Sequence, residues 1–462
     1  MMTSTLFARL TIAFNLFASS AYAQQGCILD PTLYDKVPIA MPVSRGDYDN
    51  LPIEHSLYKY APVPQNQGSY GTCVGWAAAY AARTIQMAHQ QNWLNTTLIT
   101  ENALSPFFVY ESAKPSSDIY CQEGTSLYNG LEIMKEVGSV KTFDYPNQCG
   151  QTISKPLEKK ALQYKIKDYR RLFDTGVTDK VSFVKKSIAE NRPVIIGIQC
   201  CTESFQNAKT KYWKLQPTDN APLGGHALTV IAYNDTLFGK GEGAFQLMNS
   251  WGTTWGEGGF IWMSYKDFNK YCFEAYEMSL PEPEDKNNLF AGTIRLELSA
   301  GQPIPFHFKN NQYESKDSYH SGTMFQIALI NQIQMYVYVI GSDLKNQDYK
   351  IFPTGNMAAD INYKGAKTIL PAETKHIQMD NQVGTDYICL LYSKEPLQID
   401  DILNRLKNEE GTFPERVQKV YQLRLFNPQD IDRSQHKHEI TFKATSKTRD
   451  IVPIIVALKH ID

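Results

Sequence analysis

The sequence predicts an α+β chain, with a unit that is half helical and half β over residues 51–280 and a β-rich unit over residues 289–462. Three observations carry this reading. An alanine-rich, proline-free run directly follows Cys73 and favours helix. Short apolar runs bounded by glycine and proline, at residues 194–198 and 226–231, read as buried strands. Beyond a polar, proline-bearing linker at 281–288, the pattern changes to alternating β runs joined by glycine and asparagine turns. The chain of 462 residues is long enough for two or three domains, and its formal net charge of -2 argues against a nucleic-acid partner.

Taken in order, residues 1–23 read as an export signal, with Arg9 as the basic part, an apolar run at 10–17, and Ala21-Tyr22-Ala23 as the small residues before a cut ahead of Gln24. A secreted or periplasmic protein is expected. The apolar run is broken by Asn15 and falls short of the roughly 20 residues that span a bilayer, so no stable membrane insertion is expected. Residues 24–50 carry Pro31, Pro38, Pro42 and Gly46 without amphipathic period and read as extended, loop-like chain. They leave little room for a helical regulatory segment ahead of residue 51, so either none is needed or it lies elsewhere.

A polar loop at 64–72 then enters the helix at Cys73, which is expected to run to about Gln91. A thiol at a helix start faces unpaired N–H groups, which favour thiolate and lower its pKa. Gln67 on the loop supplies a side-chain N–H donor. Ser105 can cap, and Pro106 can open, a second helix. The strand at 192–198 contains Gly197, which could leave space for a side-chain pocket. His226 heads an apolar strand, with Gly224 and Gly225 leaving room beside its ring, and Asn249 and Trp251 close the next strand. In the second unit, strands are expected near 294–298, 324–331, 333–340, 440–444 and 451–458, with short helices at 398–407 and 415–421.

Cys73, His226 and Asn249, in that order and far apart in sequence, resemble the papain-like cysteine peptidases over roughly residues 51–275, in a bacterial secreted form. The resemblance implies a two-subdomain papain-like fold, a helical half holding the Cys73 helix and a β-barrel-like half. It implies Cys73 as nucleophile, His226 as general base and then acid, Asn249 as the group that orients the imidazole, and Gln67 as oxyanion donor. Trp251 matches the indole that shields the His-to-Asn hydrogen bond, and Gly124 matches a glycine that offers backbone hydrogen bonds to an extended peptide. Gly197 and Gly225 are the further substrate-binding candidates. The implied reaction is peptide hydrolysis through a thioester, on protein or peptide substrates, without a cofactor. The rival readings are a papain-fold acyltransferase or transglutaminase, and a binding protein with a vestigial triad; Asn249 in place of an aspartate favours the peptidase. The segment from Tyr336 to Ser393 resembles a β domain of no known activity appended to bacterial secreted peptidases, expected to fold independently and to act as a docking module for substrate or cell surface, as a lid, or as a spacer.

The chain has eight cysteines, and with Cys73 reserved, Cys121 with Cys149 is the preferred bridge. Cys200 and Cys201 stay open between a vicinal bridge and two separate partners. No spacing resembles paired Cys-x-x-Cys, so no metal is assigned.

Overall fold

The computed structural model describes residues 26–462 apart from 200–201, 215, 217–218, 220–223, 282–288, 344–346 and 437. The export signal, Cys200, Cys201 and most of the linker expected at 281–288 therefore lie outside the described residues.

Cys73 opens a helix that continues without a break to Gln90. Its middle, Trp76–Arg83, is wound as a π-helix rather than the α-helix expected from alanine content. Every side chain from Trp76 to Ala82 is buried, so packing on all sides governs the winding there. At Gly75 a Cβ would stand 2.1 Å from the carbonyl oxygen of Pro106, so the absent side chain lets the helix Pro106–Ala113 lie directly against this one. That second helix begins as its sequence indicates, with Ser105 Oγ accepting the Phe108 N–H at 3.2 Å and Pro106 in the first turn.

The β half is one mixed sheet of β1 (Glu54–Ser56), β2 (Asp168–Arg171), β3 (Val194–Ile198), β4 (Tyr212–Trp213), β5 (His226–Asn234), β6 (Ala244–Met248), β7 (Phe260–Ser264) and β8 (Cys272–Ser279). Its order is β2-β8-β3-β5-β6-β7-β4, with β1 added to β5. β3 and the core of β5 are apolar runs buried along their length, as strands covered on both faces must be. Thr229 on β5 donates its hydroxyl to the carbonyl of Ala77 at 2.9 Å, which ties the sheet to the Cys73 helix.

The C-terminal unit is a sandwich. One sheet contains Met335–Ser342, Gly384–Ser393 and Ile451–Ile461 at its centre, and the other contains Leu289–Leu298, Met324–Asn331 and Glu439–Thr445. Alternation of side chains divides the work of the first sheet. Val337 and Val339 face the second sheet, whereas Tyr336, Tyr338 and Ile340 face helices Ile399–Lys407 and Phe413–Tyr421. The result is three layers.

Residues 26–50 depart from the extended loop expected of them. They contain α1 (Pro31–Lys36), capped by Asp30 with Pro31 in its first turn, and α2 (Arg45–Asp49). The cap and the proline are local signals that outweigh the lack of amphipathic period. Between the two helices the chain joins the units. Ala40 N–H donates to Arg171 O at 2.8 Å on the edge strand β2, while Ile39 pairs with the C-terminal unit through Ile39 N–H to Asn356 O at 2.9 Å and Ala358 N–H to Ile39 O at 3.0 Å. Around this strap Arg170 Nε meets Asp360 Oδ1 at 2.7 Å, both buried, and Arg192 Nη2 donates to Asn362 O at 2.5 Å.

Candidate active site

Two local folds bring the chemistry together. The loop before the Cys73 helix is held to the end of β6 by Gln67 N–H donating to Ser250 O at 2.8 Å and Ser250 Oγ donating to Gln67 Oε1 at 2.6 Å. This fixes the amide end of Gln67 next to the helix start, where its Nε2 also donates to Tyr70 O at 2.6 Å. The second fold is the antiparallel pair β5–β6, whose ends place His226 and Asn249 side by side.

His226 Nε2 lies 2.7 Å from Asn249 Oδ1, and the Ser250 backbone N–H also points at that Oδ1 at 2.8 Å. A backbone N–H can only donate, so the shared atom is an acceptor and Nε2 must carry the proton. The other ring nitrogen, Nδ1, is left as a lone pair or a proton carrier, and it has no hydrogen-bond partner among the described residues. Trp251 stacks over the ring at 4.5 Å between centroids and 23° between planes, which keeps water from the His226–Asn249 contact.

Cys73, Gln67, His226 and Asn249 are all buried. Burial pushes the Cys73 thiol up to about 11, against the pull of the backbone N–H groups of Ala227 and Gly26. Burial likewise pushes His226 down to about 4, with the Asn249 hydrogen bond opposing it. The expectation that the helix start lowers the thiol pKa is therefore reversed in this state. Desolvation disfavours every charged form, and here it outweighs the partial charge of one helical turn.

The chain's own residues 26–30 lie over this site, with the Gly26 backbone close enough to hydrogen-bond the Cys73 thiol. Thr125 N–H donates to Gly26 O at 2.9 Å, Ile28 N–H donates to Thr125 O at 3.0 Å, and Cys27 N–H donates to Gly225 O at 3.3 Å. A Cβ on Gly124 would stand 2.3 Å from Gly26 O, and one on Gly225 would stand 2.3 Å from Cys27 O, so both glycines are required for a backbone to pass this closely. Leu29 fills the space that Gly197 leaves, its Cδ2 2.6 Å from where a Cβ on Gly197 would be, with Leu127 and Glu274 as the other walls. Beyond it, Asp30 N–H donates to Glu274 Oε1 at 2.9 Å. Burial pushes the Glu274 carboxyl up to about 7, its hydrogen bonds from Asp30 and Tyr276 opposing.

Every candidate named from the sequence thus falls in one place, and the structure adds Ser250, Glu274 and residues 26–30. Ser250 was in view between Asn249 and Trp251, but its bond to Gln67 spans 183 residues. Glu274 faces Gly197 only through the pairing of β3 with β8, which no local pattern encodes. Cys121 and Cys149 form the bridge preferred from the sequence, joining the segment beside Gly124 to the loop at Gly150.

Residues 58–281 match the family described as papain family cysteine protease. Cathepsin J of Mus musculus is 26% identical over 255 residues, covering 54% of this chain and 69% of that protein. Cysteine proteinase 3 of Entamoeba histolytica is 28% identical over 167 residues, covering 36% of this chain and 50% of that one. Among solved structures, xylellain, a cysteine protease from Xylella fastidiosa, aligns with a TM-score of 0.46 and 20% identity over 60% of this chain and 100% of its own.

Proposed function

We propose, from a chain whose residues 58–281 are a papain-family cysteine peptidase domain, that the whole protein is an exported cysteine endopeptidase held latent by residues 26–30. The observation that carries the peptidase reading is the fixed tautomer of His226, which leaves a proton-accepting Nδ1 buried and without a partner among the described residues, while the backbone N–H of the next residue, Ala227, reaches the Cys73 thiol. Once the cleft is open, Cys73 is the nucleophile. Its thiol proton passes to His226 Nδ1 and its sulfur bonds to the scissile carbonyl carbon. The negative oxygen that forms is held by Gln67 Nε2 and the Cys73 backbone N–H. His226 then protonates the leaving amine as the C–N bond breaks, and water cleaves the thioester by the same steps in reverse roles. Asn249 keeps the ring in register throughout.

Export is supported by the signal-like residues 1–23 and by the Cys121–Cys149 disulfide, which belongs to an oxidising compartment. The substrate reading comes from residues 26–30 as an internal stand-in. An extended peptide is gripped by the backbone of Thr125 and Gly225, with Gly124, whose own N–H goes to Tyr110 Oη rather than to the peptide as expected, allowing the close approach, and it presents a bulky apolar side chain to the space beside Gly197. The C-terminal unit, in this reading, serves as the anchor of the latent segment, because Ile39 and α2 are bonded to it.

The test is labelling with an epoxysuccinyl peptide. In the intact chain Cys73 should react slowly, and Leu29→Lys, which forces a charge into the apolar space, should speed the reaction at that residue. Equal rates in both proteins would remove the latent-state reading. Absence of any labelling, even after residues 26–30 are excised, would remove the peptidase reading as well.

A further inference from the structure

The stretch of chain that grips residues 26–30 is held in place by a buried pair of polar side chains. From Asp118 to Gly124 the backbone is neither helix nor strand, and Ile119, Tyr120, Gln122 and Glu123 are exposed. Apart from the disulfide at Cys121, side-chain packing therefore does not set its course. Its N–H groups do. Asp118 Oδ1 accepts the Gln122 N–H at 2.8 Å, and the same carboxylate accepts from the Glu123 backbone. Gly124 N–H donates to Tyr110 Oη at 2.9 Å, and Tyr110 Oη donates to Asp118 Oδ2 at 2.6 Å. A phenol has one proton and here it goes to the carboxylate, so toward Gly124 the oxygen acts as acceptor.

Tyr110 is fully enclosed and Asp118 is 3% exposed. Burial alone would raise the Asp118 carboxyl, but the bonds from Tyr110, Gln122 and Glu123 hold it below its ordinary value. An ionised carboxylate inside a protein is costly unless its oxygens are met, and this one is met by the gripping segment and the phenol beside it. The order of N–H groups along the chain gives the pair its bearing on the cleft. Those of residues 122, 123 and 124 are all taken inward. At Gly124 the backbone turns with φ +80°, and the next N–H, that of Thr125, goes to the cleft, where it meets Gly26 O at 2.9 Å. Thr125 O accepts the Ile28 N–H at 3.0 Å. Tyr110 stands on the helix Pro106–Ala113, which lies directly against the Cys73 helix at Gly75, so the pair ties the register of the grip to the element that carries the nucleophile.

We propose that Tyr110 and Asp118 are positioning residues for peptide binding: by claiming the three preceding N–H groups they present the N–H and C=O of Thr125 to the backbone of an extended polypeptide. Neither touches the reacting atoms. This role rests on the reading of residues 26–30 as a stand-in for substrate, and it has opposite consequences in the two states of the enzyme. In the intact chain the grip holds residues 26–30 over Cys73, and in the open enzyme it holds the substrate. Loosening it bares the thiol in the first case and weakens peptide binding in the second.

The test uses full-length protein, with Tyr110→Phe placed in the intact chain and in the Leu29→Lys chain. In the intact chain, alkylation of Cys73 by iodoacetamide, read at that residue by mass spectrometry, should become about 10-fold faster, the effect of one lost hydrogen bond. In the Leu29→Lys chain the alkylation rate should hold steady, because the reagent has no backbone to grip. There KM for an extended peptide should rise about 10-fold with kcat unchanged, the mark of binding lost equally from ground and transition states. Asp118→Asn keeps an acceptor oxygen for Gln122 and should raise KM less than Asp118→Ala does. Peptide turnover by the Leu29→Lys chain with KM unmoved by Tyr110→Phe would overturn this role and leave the peptidase reading intact. No turnover by the Leu29→Lys chain itself would overturn both. A fall in kcat and in melting temperature without a change in KM would make Tyr110 a structural residue only, and the role would fall with that result too.

Discussion

Arg416 in the C-terminal unit and His226 in the peptidase unit are both buried, and their polar atoms are left in different states. In the C-terminal unit Arg416 is almost wholly enclosed, and its guanidinium is met by both oxygens of Asp348, by the Leu406 carbonyl at 2.9 Å and by Ser342 Oγ at 3.3 Å. In the peptidase unit His226 is equally buried, but one nitrogen is spoken for and the other is not. A satisfied buried charge stabilises and specifies a structure, while a buried group with spare valence is costly to keep and is retained where it meets something absent from the folded chain. The contrast teaches where to look for chemistry in this molecule, and it separates three experiments by size.

The largest effect should come from the unsatisfied side. Cys73→Ala should reduce turnover of the opened enzyme by roughly 10⁶-fold, as loss of a nucleophile does elsewhere, with the urea unfolding midpoint unchanged. A truncated nucleophile that left substantial turnover would place the chemistry in another part of the cleft.

Arg416→Ala inverts the pattern. It should cost about 3–5 kcal/mol of unfolding free energy, because Asp348 stays buried and loses its partner, while kcat of whatever remains folded is unaffected. Chemical denaturation with activity measured on the same samples checks both halves; a fall in kcat in step with stability would erase the distinction between the two regions.

The smallest effect concerns pH, and it sets two groups of the cleft against each other. His226 is held down at about 4 in the closed state by burial, so an open form, with its ring nearer the ordinary 6.5, takes up a proton first. Closure therefore loses ground as pH falls from 6.5 through 4. Glu274 is held up at about 7, so an open form ionises first as pH rises from 4.5, and closure loses ground in that direction. Between 4.5 and 6.5 the two slopes have opposite sign and similar size, so the rate of Cys73 labelling in the intact chain should change little beyond the reagent's own pH dependence. Glu274→Gln removes one slope and should make the closed form open on acidification. A flat profile in that variant too would show that His226 does not titrate on opening.

How much of this was readable before any coordinates depends on the distance over which each contact acts. Cys73, Gln67, His226, Asn249 and Trp251 were legible because each sits in a short run whose glycines and polar residues have no other purpose in a helix or strand. The helix at Pro106 was legible from Ser105 and the proline alone. Asp30-Pro31 carried the same signal for α1, but the absence of an apolar stripe obscured it. Glu274 was not legible, since its neighbour Gly197 is set by strand register. The sequence leaves open whether an inhibitory segment is needed at all or lies outside residues 24–50; in the proposed latent state residues 26–30 take that part, through backbone hydrogen bonds and a single leucine. The state of the thiol was misjudged too, as its pKa follows from burial. The independence expected of the C-terminal unit is qualified by Arg170 and Asp360, which meet across the boundary and are buried there.

The strap at residues 38–40 also bears on how the protein can be cut. β2 ends the peptidase sheet, and the only neighbour on its outer side among the described residues is this strap, which is itself joined on its far side to residues 356–358. A proteolytic cut within α1, where Pro31, Thr32, Asp35 and Lys36 are exposed, would free residues 26–30 from the cleft and leave the strap in place. A cut beyond Ala40 would strip the strap too, baring unpaired N–H and C=O groups on β2, the condition under which sheets recruit strands from other molecules. If the proposed latent state is released by proteolysis, the cut has a window of a few residues, and a protease that overshoots it would trade a latent enzyme for an aggregating one.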